Sequence, residues 1–385
     1  MANLFDTLSL RGVTLRNRLA LSPMCQYEAT NGYATDYHTV HYGKFALGGF
    51  GLVMVEATAV SPEARITHGD VGIWEDGHIE GLARIARFVK AQGAAPGIQI
   101  AHAGPKASMQ RPYFGDGPLN EIDAARGDHP WAVVSASAEP VAEGWLVPSA
   151  LDDASIAKVR QDFAAATRRA LAAGFEVIEL HAAHGYLLNS FLSPLTNKRD
   201  DAYGGSLENR MRLPLEIAAE MRGIIPEDKP LFVRISAVDG SKSGVTIEDS
   251  IALARELKTI GVDVIDCSSG GIGASYDYPN GYGYQVPHAD RIKAETGLST
   301  MAVGLIVQPE QAQAIVQSGQ ADLVALGREA LANPNFPHHA EQVLGAAKFD
   351  APYDSWVPQI GWWLNARQRK LDRLGAWTAD ATTGA

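Results

Sequence analysis

The chain has 385 residues, a formal net charge of −11, 46% apolar and 20% charged residues. This is globular rather than disordered composition, and the acidic balance argues against nucleic acid and anionic membrane as default partners, because both select for clustered Lys and Arg. Two cysteines, Cys25 and Cys267, exclude a disulfide framework and cannot hold an iron–sulfur cluster, which takes about four thiolates.

The amino end lacks a basic region followed by an apolar one, so no secretory leader is expected. The longest apolar stretch, Phe45 to Val55, falls short of the roughly 20 residues of a membrane helix, and a soluble cytoplasmic protein is expected. Along the chain, short apolar runs predict strands at Arg18–Leu21, Leu52–Glu56 and Gly97–Ala101. Residues 104–150 then form a long Pro/Gly-rich insertion, expected to cap the fold. Asp152 to Ala173 repeats Ile156, Val159, Phe163, Ala166, Ala170 and Leu171 at helical steps, with acidic residues at its start and Gly174 after it. Further strands are predicted at Val177–Leu180, Leu231–Ile235, Val264–Cys267, Thr300–Val303 and Leu323–Leu326. The helix Thr246–Ile260, closed by Gly261, separates the fifth and sixth.

Runs this continuously apolar suit parallel strands covered on both faces. Eight strand–helix repeats predict an α/β fold, a (β/α)₈ TIM barrel over residues 1–345 with the 104–150 cap. A doubly wound sheet is the alternative, weakened because no Gly-x-Gly-x-x-Gly follows the first strand. From residue 346 a carboxyl-terminal tail holds four of the seven tryptophans: Trp356, Trp362, Trp363 and Trp377.

Barrel active sites lie at the carboxyl ends of the strands. There the sequence places Ser22-Pro23-Met24-Cys25-Gln26-Tyr27, Glu56-Ala57-Thr58, Gln99 to Gly104, His181 to Tyr186, Arg234, Gly304, and Gly327-Arg328. Glycines after strands seven and eight, with Arg328, suit a phosphate held by backbone N–H groups and a guanidinium; they also suit plain turns beside a surface charge. His181-x-x-His184-x-Tyr186 reads as a structural group, as part of a metal site lacking a third ligand, or as a clamp for an oxygen that gains negative charge. Cys25 is either a small buried hydrophobe or a rim thiol, and Cys267 is core. Tyr276 to Tyr284 forms a turn-rich loop, either a lid or a surface loop.

With these motifs in view, the chain resembles the old yellow enzyme family, in its bacterial xenobiotic-reductase-like class. The resemblance rests on Arg16-Asn17-Arg18, Ser22 to Tyr27, Glu56 to Val60, Gln99 to Gly104 and His181-x-x-His184-Gly185-Tyr186-Leu187. It extends through Ser193-Pro194-x-Thr196-Asn197-x-Arg199-x-Asp201-x-Tyr203-Gly204-Gly205-Ser206 to Arg234, Gly304 and Gly327-Arg328. It implies a barrel carrying non-covalent FMN, an ene-reductase that reduces activated C=C bonds of α,β-unsaturated carbonyl or nitro compounds with NADPH or NADH. Ser22, Pro23, Met24, Cys25, Ala57, Gln99, Arg234, Gly304, Gly327 and Arg328 match the family's flavin contacts. Arg234 belongs on the N1/O2 side, Gln99 on the pyrimidine edge, and Cys25 where a thiol tunes the flavin. His181 and His184 would bind the substrate oxygen, Tyr186 would donate the proton, and Tyr27 and Trp356 would line the substrate side. No metal is implied, and a homodimer or higher oligomer is expected, with the tail at a subunit interface. The alternative from another class is a non-catalytic flavin-binding redox sensor using Cys25. Pro105 stands where the class usually has Arg, which leaves the role of Lys106 open.

Overall fold

The computed structural model describes residues 2–273, 281–374 and 377. Eight parallel strands close into one barrel: β1 (Leu19–Leu21), β2 (Leu52–Ala59), β3 (Ala95–Ala101), β4 (Val177–Ala182), β5 (Leu231–Ser236), β6 (Val264–Ser268), β7 (Ser299–Ala302) and β8 (Leu323–Leu326). β8 pairs back onto β1 through Val324 with Leu19 and Leu326 with Leu21. A helix follows each strand: α1 (Asp36–Leu47), α2 (Ile79–Ala91), α3 (Asp153–Ala172), α4 (Leu207–Ile224), α5 (Ile247–Ile260), α6 (Val286–Thr296), α7 (Pro309–Gln317) and α8 (Phe336–Val343). This is the predicted (β/α)₈ barrel. None of the described helices is long and apolar enough to cross a membrane.

The two-residue period of the strands sorts side chains between two cores. Leu52, Met54, Val177, Phe232, Val264, Met301 and Leu323 point inward and fill the lower barrel, which the hairpin Leu8–Leu10/Val13–Leu15 closes from below. Their neighbours Val53, Val55, Ile178, Leu180, Val233, Ile235, Ile265 and Cys267 face the helices. In α3 the predicted stripe Ile156, Val159, Phe163, Ala166 and Ala170 is buried, and Asp152 caps the helix by accepting from Ser155 N. α5 starts at a Thr246/Asp249 capping box and ends at Gly261, whose φ of 97° is the left-handed cap that glycine favours.

Five strands run further than their apolar runs predict, β2 and β4 furthest at their carboxyl ends, because ladder hydrogen bonds do not depend on side-chain polarity. β4 continues to Ala182, so His181 is on the strand and His184 beyond it. β2 continues to Ala59 through a register shift at Glu56.

Two resemblance motifs serve as fasteners. Arg16 donates to Ala46 O and Phe50 O beside the end of α1 and to Gln92 O at the end of α2. Arg199 donates to Ala136 O and Leu151 O, while Lys198 N donates to Ser137 Oγ. The second set ties residues 104–150 to the loop after β4; that segment holds a short helix, Glu121–Ala125, and a two-residue ladder between Val134–Ser135 and Ser149–Ala150.

Arg16→Met removes charged donors from carbonyls at two helix ends. It should destabilise the protein by about 2–3 kcal/mol in urea unfolding. A change near zero would show that water replaces those donors.

Candidate active site

Above the apolar floor, the same inward period turns charged. Gln99, Glu179, Arg234 and Asp266 occupy the next inward positions of β3, β4, β5 and β6, and all four are buried. Register sets Gln99 beside Glu179 and Arg234 beside Asp266. Gln99 Nε2 donates to Glu179 Oε1 at 2.7 Å. Arg234 Nε lies 3.2 Å from Asp266 Oδ2, and its other arm donates to Ser22 Oγ at 3.2 Å. Two carboxylates thus face one guanidinium. Burial and mutual repulsion raise the pKa of Glu179, and burial raises that of Asp266 against the pull of Arg234.

Over this layer opens a cavity of about 250 Å³. It brings together Ser22, Pro23 and Met24 after β1, Arg234 from β5, Gly304 after β7, and Gly327 with Arg328 after β8. Gly327 is the N-cap of a short helix, Arg328–Ala332. Gly304 has φ 121°, and a Cβ there would meet Gln285 Nε2 at 2.8 Å. Ser268 and Gln285 also line the cavity. Sequence reasoning passed over both, although Ser268 ends a strand at the same rim. Ala57 and Gln99 lie buried in β2 and β3 beside this region.

Three rings form the adjoining corner. His181 meets His184 at 5.1 Å and Tyr186 at 5.0 Å between ring centroids, both nearly perpendicular. His181 Nδ1 accepts from Ala183 N at 3.1 Å, so Nε2 carries its proton, 3.3 Å from His184 Nδ1. Burial first, then the charge of Arg234, holds both imidazoles far below their usual pKa and therefore neutral. Burial pushes the Tyr186 phenol well up, so it keeps its proton. His184 adopts φ 61° against Gly271, where a Cβ would fall 2.5 Å from His184 Cα. Glycine at 271 is what lets that turn close.

Tyr27 and Tyr186 both line a second cavity, of about 390 Å³. Met109, Gln110, Pro112, Asp116, Val141, Ala142 and Trp145 roof it, all from the 104–150 segment. Tyr27 also has positive φ, 60°. The loop carrying it is pinned by Glu56, which accepts from Gln26 N at 2.5 Å and from the Tyr42 hydroxyl at 3.1 Å. Cys25 is half-buried against the small cluster of Ile66, Ala103, Ala107 and Val133, on which Tyr186 also packs. Burial, with Asp70 and Glu56 nearby, pushes its thiol well up, the reverse of a reactive thiolate. Lys106 follows Pro105 in a tight turn and lines the same cavity. Its ammonium donates to His184 O at 2.9 Å and to Gly271 O.

Within the single chain Trp356 lies away from this corner. It stacks on His338 of α8 at 4.6 Å and borders a separate cavity with Tyr353, Trp362 and Arg369. The cause is a tail helix, α9 (Pro358–Leu371). It holds residues 351–356 down through Asn365, which accepts from Tyr353 N and donates to Asp354. The predicted loop Tyr276 to Tyr284 lies largely outside the described residues; its end, Tyr284, borders the first cavity. Among the described residues no three His, Cys, Asp or Glu side chains gather as a metal site.

Comparison with known proteins agrees with the fold. The NADH:flavin oxidoreductase / NADH oxidase family matches residues 3–346. An NADPH dehydrogenase of Geobacillus thermodenitrificans is 44% identical over 353 residues, covering 91% of this chain and 96% of that one. Morphinone reductase in complex with tetrahydroNAD aligns with a TM-score of 0.72 at 27% identity, over 92% of this chain and 94% of that one. A 2-naphthoyl-CoA reductase shares the fold with a TM-score of 0.80 at 24% identity over 89% of this chain, which spans 52% of that longer chain.

Burial lowers the Lys106 pKa from 10.5 to about 8. Between those values the unfolded chain holds a proton that the folded one has lost, so stability should rise with pH across that window. Lys106→Met should flatten the rise in urea unfolding from pH 8 to 10.5; an unchanged slope would place the ammonium in water.

Proposed function

The chain belongs to the NADH:flavin oxidoreductase / NADH oxidase family, an FMN-dependent NAD(P)H oxidoreductase of the old yellow enzyme type, and from that premise we propose that it reduces the activated C=C bond of α,β-unsaturated carbonyl or nitro compounds. The residues present fit FMN. The first cavity is lined by two guanidiniums, Arg234 and Arg328, and by two glycines, Gly304 and Gly327. Arg234 pairs through Nε with Asp266 and donates from its other arm to Ser22, which holds its guanidinium at the wall of that cavity. FMN, when bound, supplies hydride chemistry, taking hydride from NADPH or NADH and passing it to the substrate's β-carbon.

What carries the reading is the corner of His181, His184 and Tyr186 between that cavity and the roofed one. His181 Nε2–H and His184 donate to the substrate oxygen and stabilise the negative charge it gains. Tyr186, kept neutral by burial, gives its proton to the α-carbon. Tyr27 forms the opposite wall, and the 104–150 cap excludes water and shapes the space for the rest of the substrate. Cys25 lies close enough to Tyr186 to influence its phenol, and burial keeps it a thiol, which favours tuning of the ring over the sensor reading.

Stopped-flow measurement of the two half-reactions tests this. Tyr186→Phe should slow reoxidation by 2-cyclohexenone by about 10²–10⁴-fold while leaving reduction by NADPH nearly unchanged. Equal losses in both would remove Tyr186 from the proton step, and wild-type protein that never turns over with enones or nitroalkenes would favour a sensor.

We also propose that the protein pairs with a second copy of itself through the tail. On α9, Trp362 and Trp363 are 61% and 68% exposed and meet edge to face at 4.6 Å, with Arg367 and Arg369 also on the surface. Trp and Arg are enriched where subunits meet. Sedimentation should give a dimer or larger for the wild type and a smaller species for the Trp362→Ser/Trp363→Ser double variant. A wild-type monomer would refute the pairing.

A further inference from the structure

Ser268 ends β6 with its side chain buried, and its hydroxyl borders the cofactor cavity on one side and the histidine corner on the other. Its Oγ lies 2.6 Å from His184 Nε2 and 3.4 Å from Gln285 Oε1. The Gln285 amide is fixed, since its Nε2 donates to Val303 O and its Oε1 already accepts from Ser269 Oγ at 2.6 Å. The Ser268 hydroxyl is therefore the rotatable group at His184 Nε2, able to accept from that nitrogen or donate to it.

The state of His181 makes this choice consequential. Its proton is on Nε2, 3.3 Å from His184 Nδ1. If His184 carries its proton on Nε2, the chain of donors runs His181 to His184 to Ser268 to Gln285 and every member is satisfied. If His184 carries it on Nδ1, two N–H groups face each other, an arrangement that is favourable only with an acceptor oxygen between them.

We propose that Ser268 is a positioning residue for His184: its hydroxyl turns from acceptor to donor when an anionic oxygen enters the corner, so that His184 moves its proton from Nε2 to Nδ1 and the two imidazoles become a fork. The exchange is balanced. Nε2 releases one proton to solvent, Nδ1 takes one, and the imidazole stays neutral. The neutrality of both rings makes the tautomer, and not the charge, the variable. The inference rests on the reading of His181 and His184 as anchors of the substrate oxygen.

Imidazole nitrogen NMR of the ¹⁵N-histidine holoprotein, with and without phenol as the oxygen-bearing probe, tests it without turnover. The expected spectra show His184 protonated on Nε2 in the free protein and on Nδ1 with phenol bound. In protein saturated with FMN, Ser268→Ala should abolish the change and weaken phenol binding by about tenfold; Ser268→Thr, which keeps the hydroxyl, should retain both. The same His184 tautomer with and without phenol in the wild type would overturn the assignment, whatever the variants do. So would a Ser268→Ala protein that keeps both the change and the affinity. Absence of enone turnover would instead count against the function proposed above, because the spectra are read on a resting protein.

Discussion

A guanidinium inside a barrel is expensive to desolvate, and Arg234 sets the terms for everything above the floor. It needs negative charge close by, which Asp266 and Glu179 bring from neighbouring strands, and they in turn need a partner and a proton between them. Gln99 and Ser22 take up further valences. The apolar layer beneath keeps water out, so the charge of Arg234 reaches the cavity above it little screened. The same charge helps keep His181 and His184 neutral. One buried cation thus couples the lining of the cofactor cavity to the state of the substrate corner.

Above that layer, shape is held by local clasps. His184 and Tyr27 both sit at positive φ, a conformation that non-glycine residues keep only where their surroundings over-determine it. For His184 those surroundings are Gly271 against its backbone, the Lys106 ammonium on its carbonyl and Ser236 Oγ on its amide. For Tyr27 they are Gly69, packed on its carbonyl, and the Glu56 carboxylate one residue away. Donors and rings are therefore in place before a ligand arrives, which is the form of preorganisation that lowers barriers where charge develops.

Much of this was legible in the sequence, because barrel strands announce themselves as apolar runs and active sites sit at their ends. Ser22 to Met24, Arg234, Gly304, Gly327 and Arg328 could be assigned to one rim, and they line one cavity. Glu179 was missed although it lies two residues before His181 and so on the same inward face; a period-of-two count from the histidine would have found it. Ser268, just past the predicted end of the sixth strand, was passed over. The position of Trp356 within its own chain was not legible for another reason. Its place depends on α9 folding back onto α8, a long-range packing event that no local pattern encodes. Arg16 and Arg199 belonged to recognisable motifs, but only their carbonyl partners reveal that they fasten helices and cap.

The cap leaves the barrel after β3 and rejoins it just before α3, without supplying any barrel strand. Its side chains line the second cavity, and its attachment to the segment after β4 runs largely through backbone groups, with one serine hydroxyl and the Lys106 ammonium added. Such a piece can drift in length and sequence while the strand registers beneath it stay fixed. In a lineage built on this plan, a new diet of substrates can be inherited as a rewritten roof over an unaltered hearth.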